Sequence, residues 1–422
     1  MPVDRLDLAP AVEPRAAAPT WRQARRRLGA LSPLPPLAVP LRAAVGAVLA
    51  RPVAGPTDVP VRDSAVDHGW AVAGVGPWTV IPDDEAHSIT ALPDQHAITV
   101  PMGGPLPPGC TAVVPWDGGV VDLLGGRARL QVADPSGAPA QHPGLIRFGS
   151  GIHPRGSDAT AGQTLLAAGA VVTPGTVALA AAVGLDDLTV VPPASVAVVL
   201  PQYGLSRRGA LRPARQRDVV AELLPTWIEA GSARLLPPAE STADAAAIAA
   251  VLTDLSADVI VVAGGIDPRV PPAVGAAAVS LGAEVILSGI AITPGGAVEV
   301  YRLPDERIVV ALPGRASAAA AALAVVLDPL LSALSGRGPA PEPPTGMLSG
   351  VLADAGAGHG TRLLPAVVER SELVLEVHPM RWHGPAGMHA LAAADALVVL
   401  DPPAAPGEAL VPLLPLPGVL LG

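Results

Sequence analysis

The chain has 422 residues, too many for one core, and at roughly 100–200 residues per domain it holds about three. Half of it is hydrophobic and only 15% is charged, which supplies buried cores and excludes wholesale disorder. The net charge of −10 argues against nucleic acid as a main partner. The single cysteine, Cys110, excludes an internal disulfide and a cysteine-based zinc site, so a reduced, cytoplasmic setting fits.

Neither lysine nor asparagine occurs anywhere in the sequence. Any site that needs an ammonium group must therefore use arginine, a planar fork rather than a movable point charge. With aromatics at 2%, the cores are filled by Ala, Val and Leu.

Taken in chain order, the first predicted element is a short helix over 21–28, followed by a stiff proline connector over 33–40. Arg25, Arg26 and Arg27 suggest an export signal, but Pro33, Pro35, Pro36 and Pro40 break the apolar stretch that should follow. The spacing of Leu41, Val45, Val48 and Leu49 predicts a helix over 41–50. From 53 to about 142, short apolar runs alternate with Pro/Gly/Asp clusters, a β-rich pattern. A helix is expected over 177–183, stopped by Gly184.

From Ser195 the pattern alternates strand and helix. Continuous apolar runs at 195–200 and 258–263 read as strands buried on both faces. The 218–230 segment is helical and bent by Pro225. The 241–255 segment opens with Ser241 and Asp244 in capping-box spacing. A helix at 272–281 and strands at 284–287 and 307–312 follow. This alternation predicts a mostly parallel α/β sheet with helices on both faces. The alanine-rich stretch from 316 is apolar all round, but Asp328-Pro329 should stop it well short of the ~20 residues that span a membrane. A Gly/Pro/Glu linker at 336–345 leads to a small, turn-rich β domain.

Several segments carry a family resemblance. The run 41–50 continues through Asp58-Val59-Pro60 to Asp63-Ser64-Ala65-Val66-Asp67-His68-Gly69-Trp70-Ala71-Val72. Further on come Met102-Gly103-Gly104-Pro105-Leu106-Pro107, Arg155-Gly156-Ser157-Asp158, Thr293-Pro294-Gly295-Gly296, and Leu312-Pro313-Gly314-Arg315 with Leu334-Ser335-Gly336. In this order the chain resembles the molybdopterin molybdotransferase family, which inserts molybdate into adenylated molybdopterin with release of AMP. The resemblance implies a multidomain α/β homodimer. Its parts would be an elongated discontinuous domain (1–55 and 143–192), an inserted β-rich domain (56–142), an α/β molybdopterin-binding domain (193–337) and a C-terminal β domain (338–422). It also implies Mg2+ and molybdate as cofactors, and a pterin or nucleotide anion rather than a membrane or nucleic acid as partner.

Carried over residue by residue, the family's site is altered. Its acid in the opening motif falls on His68 when counted without gaps, and on Asp67 with a slip of one residue. Both stay candidate catalytic residues beside Asp158, and Asp158 and Asp267 are the candidate metal ligands. Family acids are missing at 201–205, both family lysines are replaced (by Thr293 and Gly296), and Arg315 and Met102 stand for an Asn and a Thr.

What the residues themselves still offer is an anion site at the carboxyl ends of the buried strands. Gly264, Gly265 and Gly314 let the backbone approach a ligand. Arg207, Arg208, Arg269 and Arg315 supply charge, and Asp267 and Ser317 lie in the same loops, two of which lead into helix amino ends. The competing readings are a turn histidine at 68, a turn cap at Asp158 and a solvated basic loop at 207–217. Cys110 has no His–Asp context for nucleophilic chemistry, and His383 and His389 read as structural. Two functions follow: a molybdenum-cofactor enzyme that uses arginine in place of lysine, or a catalytically impaired pterin- or nucleotide-binding or scaffolding relative.

Overall fold

The computed structural model describes residues 18–124, 126–134, 136, 138–139, 146–201, 209, 217–231, 233–264, 270–349, 360–371, 374–382, 388–402 and 410–419. Its largest element is a seven-stranded sheet. The strands Ser195–Pro201, Val259–Val262 and Ile308–Ala311 lie side by side and parallel at its centre. Arg234–Leu235 and Ala239–Ser241 join in parallel on one side, and the antiparallel pair Glu299–Arg302 and Glu284–Ser288 completes the other.

The continuous apolar runs exist because both faces are covered. Val196, Val198 and Leu200 pack with Val259, Val261 and Val310 under the helices Trp21–Gly29, Val219–Ala230 and Ala316–Leu334. Ala197 and Val199 pack with Ile260, Val262 and Val309 under Ala245–Asp254 and Val270–Ser280. Each fully buried Val, Leu or Ile contributes roughly 1.5–3 kcal/mol.

Elsewhere, Asp187–Val191 lies between Leu37–Pro40 and Val48–Leu49, and Thr164–Leu166 pairs with Val53–Ala54. The chain between these segments forms an open six-stranded sheet that includes Gly69–Val72, His96–Val100 and Gly119–Leu124.

The C-terminal strands close into a barrel. Thr361–Arg370 pairs with Ala396–Leu400 through its first half and with Leu375–Pro379 through its second. Leu410–Pro415 and Thr345–Leu348 complete the ring. The short strand Ile292–Thr293, from the α/β part, adds in parallel to the start of Thr361–Arg370.

Local predictions failed in three places. The helix expected over 41–50 is a 3-10 turn, Leu41–Ala44, followed by the strand Val48–Leu49. Gly46 sits at φ +85°, which ends any helix there, and Val48 and Leu49 are claimed by Asp187–Val191. The helix expected from 241 starts at Ala245; Ser241 ends a strand, and Asp244 is itself the cap, accepting from Ala247 N at 2.9 Å.

The stop at Asp328-Pro329 is the third. The helix runs 19 residues, Ala316–Leu334, straight through Pro329. An interior proline costs about 3 kcal/mol. Here Pro329, Leu330, Leu331, Ala333 and Leu334 are all buried, and their packing overrides that cost. By length and apolarity this helix could cross a membrane, but 83% of it is buried inside the protein, as a core helix would be.

Candidate functional site

Two groups of predicted site residues are visible. In the first, the 155–158 turn is bound to the 58–63 segment. Arg155 donates its backbone N–H to Asp63 Oδ1 at 2.7 Å and its Nε to Asp58 Oδ2 at 2.6 Å. Gly156 N and Asp158 N donate to the carbonyls of Pro60 and Val59 at 3.0 and 2.9 Å. Ala161 N–H, then the Arg155 guanidinium, hold the Asp58 carboxyl below the usual carboxylate range, against the opposing effect of burial.

Asp158 lies 2.7 Å from His153 Nε2 through Oδ1, which also accepts from Ser157 Oγ at 3.5 Å. Asp67 accepts from the backbone N–H of His68 at 2.7 Å, a local turn contact. The His68 ring instead reaches the second motif: its Nδ1 accepts from Met102 N at 3.3 Å. Of the two residues left open by the sequence, His68 is thus the one aimed at the 102–106 loop. That bond also requires Nδ1 to be unprotonated, so the neutral ring carries its proton on Nε2.

The second group lies at the carboxyl ends of the parallel strands. Gly264 follows Val259–Val262, and a Cβ there would stand 1.9 Å from Leu312 O and 2.8 Å from Gly314 N. Only glycine lets these two loops meet backbone to backbone. Arg315 is exposed at the N-cap of the Ala316–Leu334 helix and makes no side-chain cap there. It has no ion pair among the described residues. Ser317, half-buried, stands in the first turn.

The Thr293–Gly296 turn packs on the first two turns of the same helix: a Cβ on Gly295, whose φ is +99°, would stand 2.8 Å from Ala318 O and 2.9 Å from Ala322 N. The alanines at 318, 321 and 322 provide the room. Gly265, Asp267, Arg269, Arg207 and Arg208, and His383 in the C-terminal part, lie outside the described residues.

Chemically, the first group offers carboxylates that already hold donors, and the second offers a guanidinium, Arg315, without an ion pair among the described residues. No cluster of three or more His, Cys, Asp or Glu side chains suited to a metal occurs among the described residues. Burial pushes the Cys110 thiol up, and its Sγ contacts Ala112 O at 3.3 Å, so the thiol is not primed as a nucleophile. His389 is exposed on the short Met388–Ala392 helix. A cleft of about 510 Å³ opens elsewhere, between Trp227, Leu331, Arg337 and the 341–344 segment, and none of the predicted site residues lines it. Sequence reasoning passed over Asp58, Asp63 and His153. The two aspartates stood inside the first motif, but nothing in the spacing showed that they meet residue 155, 92 positions away from Asp63.

Comparison with known proteins agrees with this architecture. Residues 20–184 match the MoeA N-terminal region (domain I and II). "Molybdopterin molybdenumtransferase 2" of Mycobacterium tuberculosis is 32% identical over 250 residues, 55% of this chain and 57% of that protein. The match therefore spans little more than half of that relative's length. "Molybdopterin molybdenumtransferase" of Synechococcus elongatus is 26% identical over 316 residues, 70% of this chain and 74% of that one. Two crystal structures of the molybdopterin biosynthesis moeA protein from Pyrococcus horikoshii superpose with TM-scores of 0.67 and 0.63 at 21% and 18% identity. They cover 95% and 94% of this chain and 100% and 99% of theirs, so the fold is shared over most of its length. The mixed α/β layout with its barrel is thus the layout of MoeA structures. The chain shares the fold of MoeA structures, and its residues 20–184 are similar to the MoeA N-terminal region.

Proposed function

We propose that the protein acts in molybdenum cofactor biosynthesis as a relative of the molybdopterin molybdotransferases, with adenylated molybdopterin or a similar pterin–nucleotide anion as its ligand. The observation that carries this reading is the start of the Ala316–Leu334 helix. There Arg315, exposed and without an ion pair among the described residues, stands at the N-cap and Ser317 in the first turn, next to the close approach of the Gly264 and 312–314 backbones. A helix amino end favours an oxyanion, and a guanidinium grips phosphate or molybdate oxygens in a fixed geometry. Arg207, Arg208, Gly265, Asp267 and Arg269, outside the described residues, are proposed as further members of the site from the sequence alone. The working unit is read as a cytoplasmic homodimer, with the discontinuous, inserted, α/β and C-terminal domains divided as the sequence suggests.

Magnesium fits poorly: no three His, Cys, Asp or Glu side chains among the described residues stand together to hold a hard cation, and Asp58, Asp63, Asp67 and Asp158 each spend an oxygen on a protein donor. We therefore assign the chain the binding and orientation of the anion and derive no step through a metal; molybdate would enter as cargo. The same pairing of carboxylates favours a second reading, in which a catalytically impaired paralogue keeps the pterin or nucleotide site as a binding or scaffolding module.

The test is conversion of adenylated molybdopterin to cofactor by the purified protein with molybdate and magnesium, together with restoration of molybdoenzyme activity in a strain lacking the standard transferase. Turnover supports the enzyme. Binding without turnover selects the paralogue, and no affinity for pterin or nucleotide ends both readings.

A further inference from the structure

The first helix and the C-terminal barrel are far apart in sequence, yet they share a single carboxylate. Asp401, just past the Ala396–Leu400 strand, accepts from Trp21 Nε1 at 3.2 and 3.3 Å through its two oxygens and from Arg22 Nη1 at 2.7 Å. It also accepts from Thr361 Oγ1 at 2.6 Å. Arg22 lies over the Trp21 ring at 4.3 Å, so guanidinium and indole reach the carboxylate as one unit.

Both donor elements also grip the same short segment of the α/β part. On the helix side, Pro19 O, just before the capping residue Thr20, accepts from Ala291 N at 2.9 Å. On the barrel side, Thr361 pairs with Ile292 and Arg362 with Thr293. Residues 291–293 lead directly into the Thr293–Gly296 turn, which presses on Ala318, Ala321 and Ala322 of the helix that begins beside Arg315. Residues 291–293 are therefore clamped between two jaws, and Asp401 is the pin that joins them.

We propose that Asp401 is a positioning residue: by tying the first helix to the barrel, it sets where the Thr293–Gly296 turn lies against the start of the Ala316–Leu334 helix. Its effect on ligands rests on the anion-site reading above, whereas its effect on the turn does not.

Barrel stability alone would give a different pattern, and Asp395 provides the contrast. Among the described residues its carboxylate accepts from Val368 N in the barrel, at 2.8 Å, and not from the first helix.

The experiment is amide hydrogen exchange on the full-length protein, paired with titration of inorganic phosphate. Asp401→Asn keeps an acceptor for Thr361 but loses the ion pair with Arg22, and should speed exchange at 290–296 by roughly five- to tenfold. It should weaken phosphate binding several-fold, and Asp401→Glu should recover both. Asp395→Asn should loosen barrel amides and leave 290–296 protected. Unchanged exchange at 290–296 in a folded Asp401→Asn protein overturns the proposal, as does equal loosening of that segment by Asp395→Asn. If Asp401→Asn does not fold, Arg22→Ala decides by the same readout, with faster exchange expected and unchanged exchange fatal. A wild-type protein that binds no phosphate would sink the anion site alone and leave exchange to judge the clamp.

Discussion

The corner built from residues 58–68 and 153–158 and the start of the Ala316–Leu334 helix are both composed of motif residues, but they treat charge in opposite ways. In the corner every candidate acid already has a donor: Arg155 and Ala161 for Asp58, the Arg155 amide for Asp63, His153 for Asp158 and the His68 amide for Asp67. At the helix start, Arg315 has no ion pair among the described residues. A polar group with a partner fixes geometry, and one without a partner is available to a ligand. The difference teaches that motif membership alone does not separate a brace from a site.

The largest effect is expected where the site has no tolerance for a side chain. Gly264→Val puts carbon into Leu312 O, and chemical denaturation should show a loss of about 3 kcal/mol or more, or no folded protein. A normally stable Gly264→Val would mean that the two loops are free to part. Next comes Arg315→Ala, which should weaken phosphate or AMP binding about tenfold in calorimetry while leaving the melting temperature in place, since Arg315 braces nothing described. A lowered melting temperature with intact affinity would turn that arginine from a site into a brace.

The corner should respond in the opposite manner. Arg155→Ala should lower thermal stability and leave phosphate affinity unchanged. Because the folded Asp58 carboxyl sits below its usual range, its contribution is complete above that range and is lost as pH falls through the lowered value. In acid the melting curves of wild type and Arg155→Ala should converge; a gap that widens on acidification would contradict the assignment. The smallest effect is expected for His68→Ala, within about half a kcal/mol, because the ring is exposed and holds one long hydrogen bond.

Much of the α/β part was legible because burial on both faces writes a continuous apolar run, as at 195–200 and 258–263. The first helix, expected over 21–28, forms as Trp21–Gly29. Barrel closure was not, since it depends on Thr361–Arg370 dividing its length between two partners, a tertiary fact with no local signature. Pro329 and the 41–50 segment misled for one reason: local propensity lost to packing in the first case, and to a left-handed glycine with a waiting partner strand in the second. In the candidate site, the Arg155–Asp158 motif and Gly264 stood out in the sequence as motif residues, but their contacts did not. The choice between Asp67 and His68 could not be read there, because it turns on which side chain rotates toward residue 102.

Closure of the C-terminal strands has a consequence for how copies of this protein can meet. A ring offers no free row of amides and carbonyls for a neighbouring chain to extend. The open six-stranded sheet differs: it ends on Gly119–Leu124, where Val121 and Leu123 are 42% and 80% exposed. In crowded or partly denatured solution, fibre-like growth by strand addition would begin on that border, and the ring would take no part in it.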